Sequence, residues 1–288
     1  MALGTNHQTI ATHTIFIPEL WDSRSQRERE RALHLANFVY RRDDEVDAYG
    51  DVLTTQTISN LTANDKAAST QVTLQTPTEA NVSLTIDKHK EASFLIEDNL
   101  AAKSMLNLQR EYVGKGAYGV GRQVDTDLFG LSASLTQTPV GTAGVALTDA
   151  VVLAAWEALT VSDVPQEERC WFFYPDCMTD LWQLEKFIRT DFVTGETLNN
   201  NINGLTVGYL YGAPVKLTTN IPSTSTGSPA TISHGNLYLH REAFQLGMQK
   251  KIRTQIDYIL EYLAYLTVID AIYGVAVYRA DHGVVINR

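Results

Sequence analysis

Hydrophobic and polar positions change rhythm several times along this chain, and each change predicts an element. Residues 1–18 are polar, rich in threonine and without periodicity, and read as an extended arm closing at Pro18. From Glu19 to Arg42 the pattern becomes helical, with Leu20, Trp21, Leu33, Leu35, Ala36, Val39 and Tyr40 between polar residues. Arg24, Arg27, Arg29 and Arg31 share this segment with Glu28 and Glu30. That mixture reads as a solvated, ion-paired helix face, the sharper reading being contact with a partner or nucleic acid. Strict alternation follows at Val72/Leu74 and at Val82/Leu84/Ile86, with a weaker run at Val52/Thr54/Gln56/Ile58. These predict strands, with turns at Asn64-Asp65 and Pro77. Nine threonines between Thr54 and Thr85 leave the ribbon a thin apolar face. So small a sheet is marginal alone, so it is expected to lie on something else, another subunit included.

A long helix is predicted from about Ile96 to Leu131, with Glu97 and Asp98 in its first turn, where carboxylates complement the helix dipole. Leu106, Val113, Ala117, Val120, Val124 and Leu128 fall on one face of it. Gly114, Gly116, Gly119 and Gly121 interrupt it, each costing about 0.8–1 kcal/mol relative to alanine, so a bend or a close backbone contact is expected there. Thr148-Asp149 opens a further helix through Leu159. Arg169–Tyr174 reads as a buried strand, and Asp176 or Thr179 caps a helix through Ile188. Leu205–Tyr211 and Val215–Thr219 predict two strands around a turn at Gly212-Ala213-Pro214. Residues 222–235 read as a surface loop, and the rest as strand with short helix, Asp257 and Glu261 sitting on one helical face.

Composition narrows the class. The chain has 288 residues, 44% of them hydrophobic and 19% charged, enough to bury a core and too apolar for disorder. A net charge of -10 argues against an autonomous coat for DNA or RNA. Cys170 and Cys177 cannot form a disulfide framework and read as structural thiols in a reducing compartment. No secretory signal is expected in residues 1–20, and Tyr262–Tyr278, the most apolar stretch, is too short to span a membrane.

Chemistry is sparse. Gly114-Lys115-Gly116-Ala117-Tyr118-Gly119 matches a dinucleotide fingerprint, but it lies inside a helical pattern rather than after a strand. His7, His13, His34, His89, His234, His240 and His282 are scattered without metal-ligand spacing. Asp87-Lys88-His89 reads as a charged turn. No catalytic residue, cofactor or metal site is expected.

The order of elements carries more information. Val82–Lys90 followed by Phe94–Asp98 looks like a ribbon's return strand leading into a long helix. Val164-Pro165 to Arg169, with Tyr174-Pro175 and Leu181, forms a "VP…R…P…L" passage. Gly204–Val215, ending near Asn220, looks like a hairpin, and Tyr273–Arg279 like a closing strand. Together these stretches resemble the major capsid proteins of tailed bacteriophages with the Hong Kong 97 fold.

The resemblance implies an α+β fold with an N-terminal arm and helix (1–45), an extended E-loop β-ribbon (46–90), and a peripheral domain with a spine helix (91–142). An axial domain (143–255) and return strands (256–288) follow. It implies self-assembly into hexamers and pentamers around double-stranded DNA, with weak non-specific DNA contact, and localisation to the virion. A separate scaffolding protein, a portal and a cement protein are the implied partners, with no membrane. Under it, Val72, Leu74, Val82 and Leu84 make intersubunit contacts, and Arg24, Arg27, Arg29 and Arg31 make arm contacts. The four glycines become the spine bend, and Gly208, Gly212 and Pro214 the axial hairpin. An encapsulin-like compartment shell is the nearest rival, against which the arm argues. An α+β enzyme with a dispersed site is the rival of another class.

Overall fold

The computed structural model describes residues 33–46, 50–99, 108–184, 208–226 and 231–288. The expected arm at 1–18, the arginines Arg24, Arg27, Arg29 and Arg31, and the loop at 194–204 lie outside them. Elements in chain order are β1 (Tyr40–Arg41), α1 (Asp43–Val46), β2 (Val52–Ile58), β3 (Glu79–Thr85), β4 (Lys88–Glu97) and α2 (Leu108–Gly130). Next come α3 (Asp149–Val161), β5 (Arg169–Phe173), α4 (Cys177–Leu181), β6 (Tyr209–Leu210), β7 (Ala213–Leu217) and β8 (Ser223–Thr226). The chain closes with β9 (Thr231–His240), β10 (Phe244–Ile259), β11 (Ala264–Val277) and β12 (Gly283–Asn287).

Strands in the described residues form three sheets: β1-β10-β11-β4, β12-β9-β5-β7-β6 with β8 on β9, and the ribbon β2-β3. The second sheet is buried on both faces, and the period of two explains how. Cys170 and Phe172 of β5 and Leu237 and Leu239 of β9 point into one core, shared with α2 and with β10 and β11. Trp171 and Phe173 of β5 and Tyr238 of β9 point into a second core, with α3, α4 and β12. That double burial is why Cys170–Phe173 reads as an unbroken apolar run. Trp171 stacks on Tyr238 with ring centroids 3.7 Å apart, and its Nε1–H donates to the Leu210 carbonyl at 2.9 Å.

Helix α2 lies on the first sheet, burying Val120, Val124 and Leu128 against Ile269, Ala271 and Tyr273 of β11. It is helical throughout its glycine cluster. Gly116 explains itself, since a Cβ there would strike Ile269 Cδ1, whereas Gly114 and Gly119 have open space around them. Buried Asp125 on the same helix accepts the backbone N–H groups of Leu35 and Ala36 at 3.0 and 2.9 Å, and the Asn220 side-chain amide at 3.1 Å. One carboxylate thus ties residues 35 and 36 to α2 and to the turn after β7.

Several expectations are corrected. Residues 33–42 form turns and the short β1, not the end of a helix, because Leu35 and Val39 are buried by local turns around Asp125. Ile96 and Glu97 end β4, in register with Tyr265 and Ala264, rather than starting the spine helix. The axial turn is Tyr211-Gly212, both at positive φ (49° and 81°), so Ala213 and Pro214 already belong to β7. Residues 223–226 and 231–234, expected as loop, pair as β8 with β9. Asp257 lies in β10 and Glu261 in the following turn, so they share no helix. The domain boundary expected at 255 falls inside β10, which pairs with β11 along almost its whole length.

Candidate functional site

The ribbon is the element whose side chains have the least to do within the subunit. Strands β2 and β3 pair from Val52↔Thr85 to Ile58↔Glu79. Beyond them, the pairing continues through side chains and backbone. Ser59 N–H donates to the Thr78 carbonyl at 3.1 Å, and the N–H groups of Thr78 and Thr62 donate to Ser59 Oγ and Gln75 Oε1, both at 2.9 Å. The threonine-rich composition therefore closes a long loop without a core. Val72 and Leu74, whose alternation predicts a strand, lie in this loop instead and are 57% and 84% exposed. Ile58 and Leu61 are exposed beside them.

The base of the ribbon is built differently. Leu84 is completely buried within its own subunit, so the expected intersubunit contact at Leu84 is corrected to a core contact, while Val82 is half-buried. The reason lies in β10 and β11, where Gly247 and Gly274 are directly paired. A Cβ on Gly247 would come within 2.9 Å of Leu84 Cδ2 and 3.1 Å of Val46 Cγ2. A Cβ on Gly274 would strike the Thr85 carbonyl oxygen and come within 3.0 Å of Ile86 Cδ1. The two glycines form a slot over which the ribbon leaves the body, and Ile86 N–H closes it by donating to the Asp51 carbonyl at 2.7 Å.

A second exposed apolar group occupies the far end of the same sheet. Ile256, Leu260, Tyr262, Leu263 and Tyr265 surround the β10–β11 turn, and Leu95 of β4 is exposed next to it. The turn is ordered locally: Tyr258 packs edge-on against Tyr265, and its hydroxyl donates to Asp98 at 2.8 Å. At about 3.3 Å per residue, the ten steps along β11 from Ala264 to Gly274 put roughly 30 Å between this tip and the ribbon's base. Apolar side chains are thus exposed at two separated places on the subunit.

The other expected site residues fall as follows. Gly208 accepts the Val215 N–H at 2.9 Å, and Pro214 pairs with Tyr209, so both belong to the axial hairpin with Gly212. Cys170 and Cys177 are buried and free, and burial pushes both thiols up to about 12. Spacing missed one constellation: His240 and His282 meet edge-on, with ring centroids 5.4 Å apart, beside Glu242. Burial first, and the neighbouring His282 second, hold His240 below its ordinary range. Sequence separation hides this pair, because two different crossovers between the sheets bring it together.

No protein-family model matches the chain, and no curated protein matches it. Solved structures do. A chain of Mycobacterium phage Che8 is 22% identical, with a TM-score of 0.77 over 94% of this chain and 97% of that one. The capsid of cyanophage P-SCSP1u is 15% identical, with a TM-score of 0.73 over 99% and 96% of the two chains. The capsid of a native GTA particle is 11% identical, with a TM-score of 0.67 over 98% and 99%. The chain has the Hong Kong 97-type capsid fold across nearly its whole length. Among the described residues, no helix is long and apolar enough to cross a membrane.

Proposed function

We propose that this chain is the major capsid protein of a tailed bacteriophage, a non-enzymatic subunit that self-assembles into the hexamers and pentamers of an icosahedral shell around double-stranded DNA. The observation that carries the proposal is the ribbon: an extension, anchored through a glycine slot, whose distal apolar residues stay exposed in their own subunit. The fold shared with phage and GTA capsids supports the same reading.

Magnitudes favour repeated ribbon contacts over a single one. Burying Ile58, Leu61, Val72 and Leu74 against a neighbour is worth about 1.5–3 kcal/mol each, or roughly 6–12 kcal/mol gross per ribbon. Association costs about 4–15 kcal/mol in lost freedom, so one ribbon contact alone is weak. A subunit that both gives and receives a ribbon makes a heterologous contact, which closes into rings and gains two contacts per member. The net charge of -10 suits a wall that encloses DNA without gripping it. Scaffolding, portal and cement proteins are partners of the proposed shell. Negative-stain microscopy of the purified full-length chain tests this reading: rings or closed shells support it, and a uniform monomer at high concentration opposes it.

A further inference from the structure

Two connections join the β10–β11 sheet to the β9–β12 sheet, and they run side by side. One is the single 3-10 turn Arg241–Ala243 between β9 and β10, and the other is the segment 278–282 between β11 and β12. They are hydrogen-bonded to each other: His240 N–H donates to the His282 carbonyl at 2.9 Å, and the Tyr278 and Arg279 N–H groups donate to the Ala243 carbonyl at 2.9 and 3.2 Å. His240, Glu242 and His282 meet at this junction, with one ligand atom from each lying within 4.8 Å of the others. Both histidines are buried and Glu242 is half-buried.

We infer that His240, Glu242 and His282 form a binding site for a divalent transition cation of the zinc type, which would clasp the two connections together. Two imidazole nitrogens and one carboxylate oxygen make a donor set that suits zinc, cobalt or nickel, and too poor in oxygen for calcium or magnesium. Three protein ligands with a fourth position for water is a common zinc arrangement. The support around the ligands is also present. His282 Nδ1 lies 2.9 Å from Asp281 Oδ1, which leaves its Nε2 lone pair available for a cation. His240 Nδ1 accepts the Glu242 N–H at 3.2 Å, a long bond with which a cation competes for the ring's lone pair. Arg279 lies 3.3 Å from the Glu242 carboxylate and is a second competitor. Because the ligands come from both connections, a bound cation resists any rotation of one sheet against the other.

The test is a titration of the untagged full-length chain with Co2+, followed by its visible d–d absorption, with Zn2+ added as the displacing ion. The expected result is a band of tetrahedral intensity saturating at one cobalt per subunit, bleached by Zn2+ and lost in His282→Ala. Asp281 and Arg279 are exposed, so their variants test the site without threatening the fold. Asp281→Asn should weaken binding about 10–100-fold. Arg279→Gln should tighten it several-fold, since it frees Glu242. Three results overturn the inference: no saturable band in the wild-type chain, a band unchanged in a His240→Ala/His282→Ala double variant, or an Arg279→Gln variant that binds no more tightly.

Discussion

Thr85 crosses directly above Gly274, so close that the Thr85 carbonyl oxygen occupies the place a Cβ on residue 274 would take. The contact sets where the ribbon leaves the body, because Gly274 sits opposite Gly247 and the pair leaves room for Leu84, Thr85 and Ile86. Gly274→Ala should therefore act on two levels. Overpacking against backbone costs about 1–3 kcal/mol, visible as a lowered Tm, and the displaced ribbon should reduce assembly yield beyond what the stability loss explains. A Gly274→Ala chain with wild-type Tm and wild-type assembly would show that the slot is unimportant.

Opposite ends of the ribbon should respond differently to substitution. Leu84→Ala empties a fully buried site and should cost about 2–5 kcal/mol of subunit stability. Leu74 is 84% exposed within the subunit, so Leu74→Asp should leave its Tm within a degree or two while abolishing assembly. Thermal melts and sedimentation of the two variants separate the effects. Loss of stability in Leu74→Asp, or a stable Leu84→Ala, would reverse the assignment.

Arg288 at the end of the chain holds β12 to α4 by donating to Asp180 at 2.6 and 3.2 Å and pairing with Asp176. Burial pushes the Asp180 carboxyl up, but Arg288 and the Leu147 N–H outweigh it, and its pKa lies below the ordinary carboxylate value. A depressed carboxylate contributes stability that is present above its unfolded pKa, about 3.9, and disappears as pH falls through its lower folded value. Arg288→Gln removes the counterweight and leaves the burial. Its acid-unfolding midpoint, followed by near-ultraviolet circular dichroism, should move to higher pH; an unmoved midpoint would mean that the pair is not coupled to folding.

Cys170 and Cys177, buried with thiols pushed up to about 12, should be inert to alkylation at pH 8 in the native chain. Both should label in denaturant, so mass spectrometry expects zero adducts before unfolding and two after. Rapid labelling of either thiol in the folded chain would contradict this packing.

Two strands buried within the same chain were legible in the sequence. Val82/Leu84 alternates because Leu84 is buried, and Cys170–Phe173 is unbroken because two cores flank it. Val72/Leu74 alternates just as clearly yet forms no strand, because both side chains are left exposed in the subunit. Residues 250–257 of β10 are exposed and mixed in character; only pairing with β11 makes them a strand, which is why Asp257 and Glu261 suggested a helix. His240 and His282 were hidden for a related reason. Their meeting depends on two sheet crossovers running together, a tertiary relationship with no local spacing.

Burial of the ribbon's distal residues on a neighbouring subunit can be seen in a cryo-electron microscopy reconstruction of the particle assembled from the full-length chain. The prediction is a closed shell in which Leu61, Val72 and Leu74, all exposed in the isolated subunit, pack against an adjacent copy. A shell that leaves these three side chains in solvent, or a chain that yields only folded monomers, would contradict it.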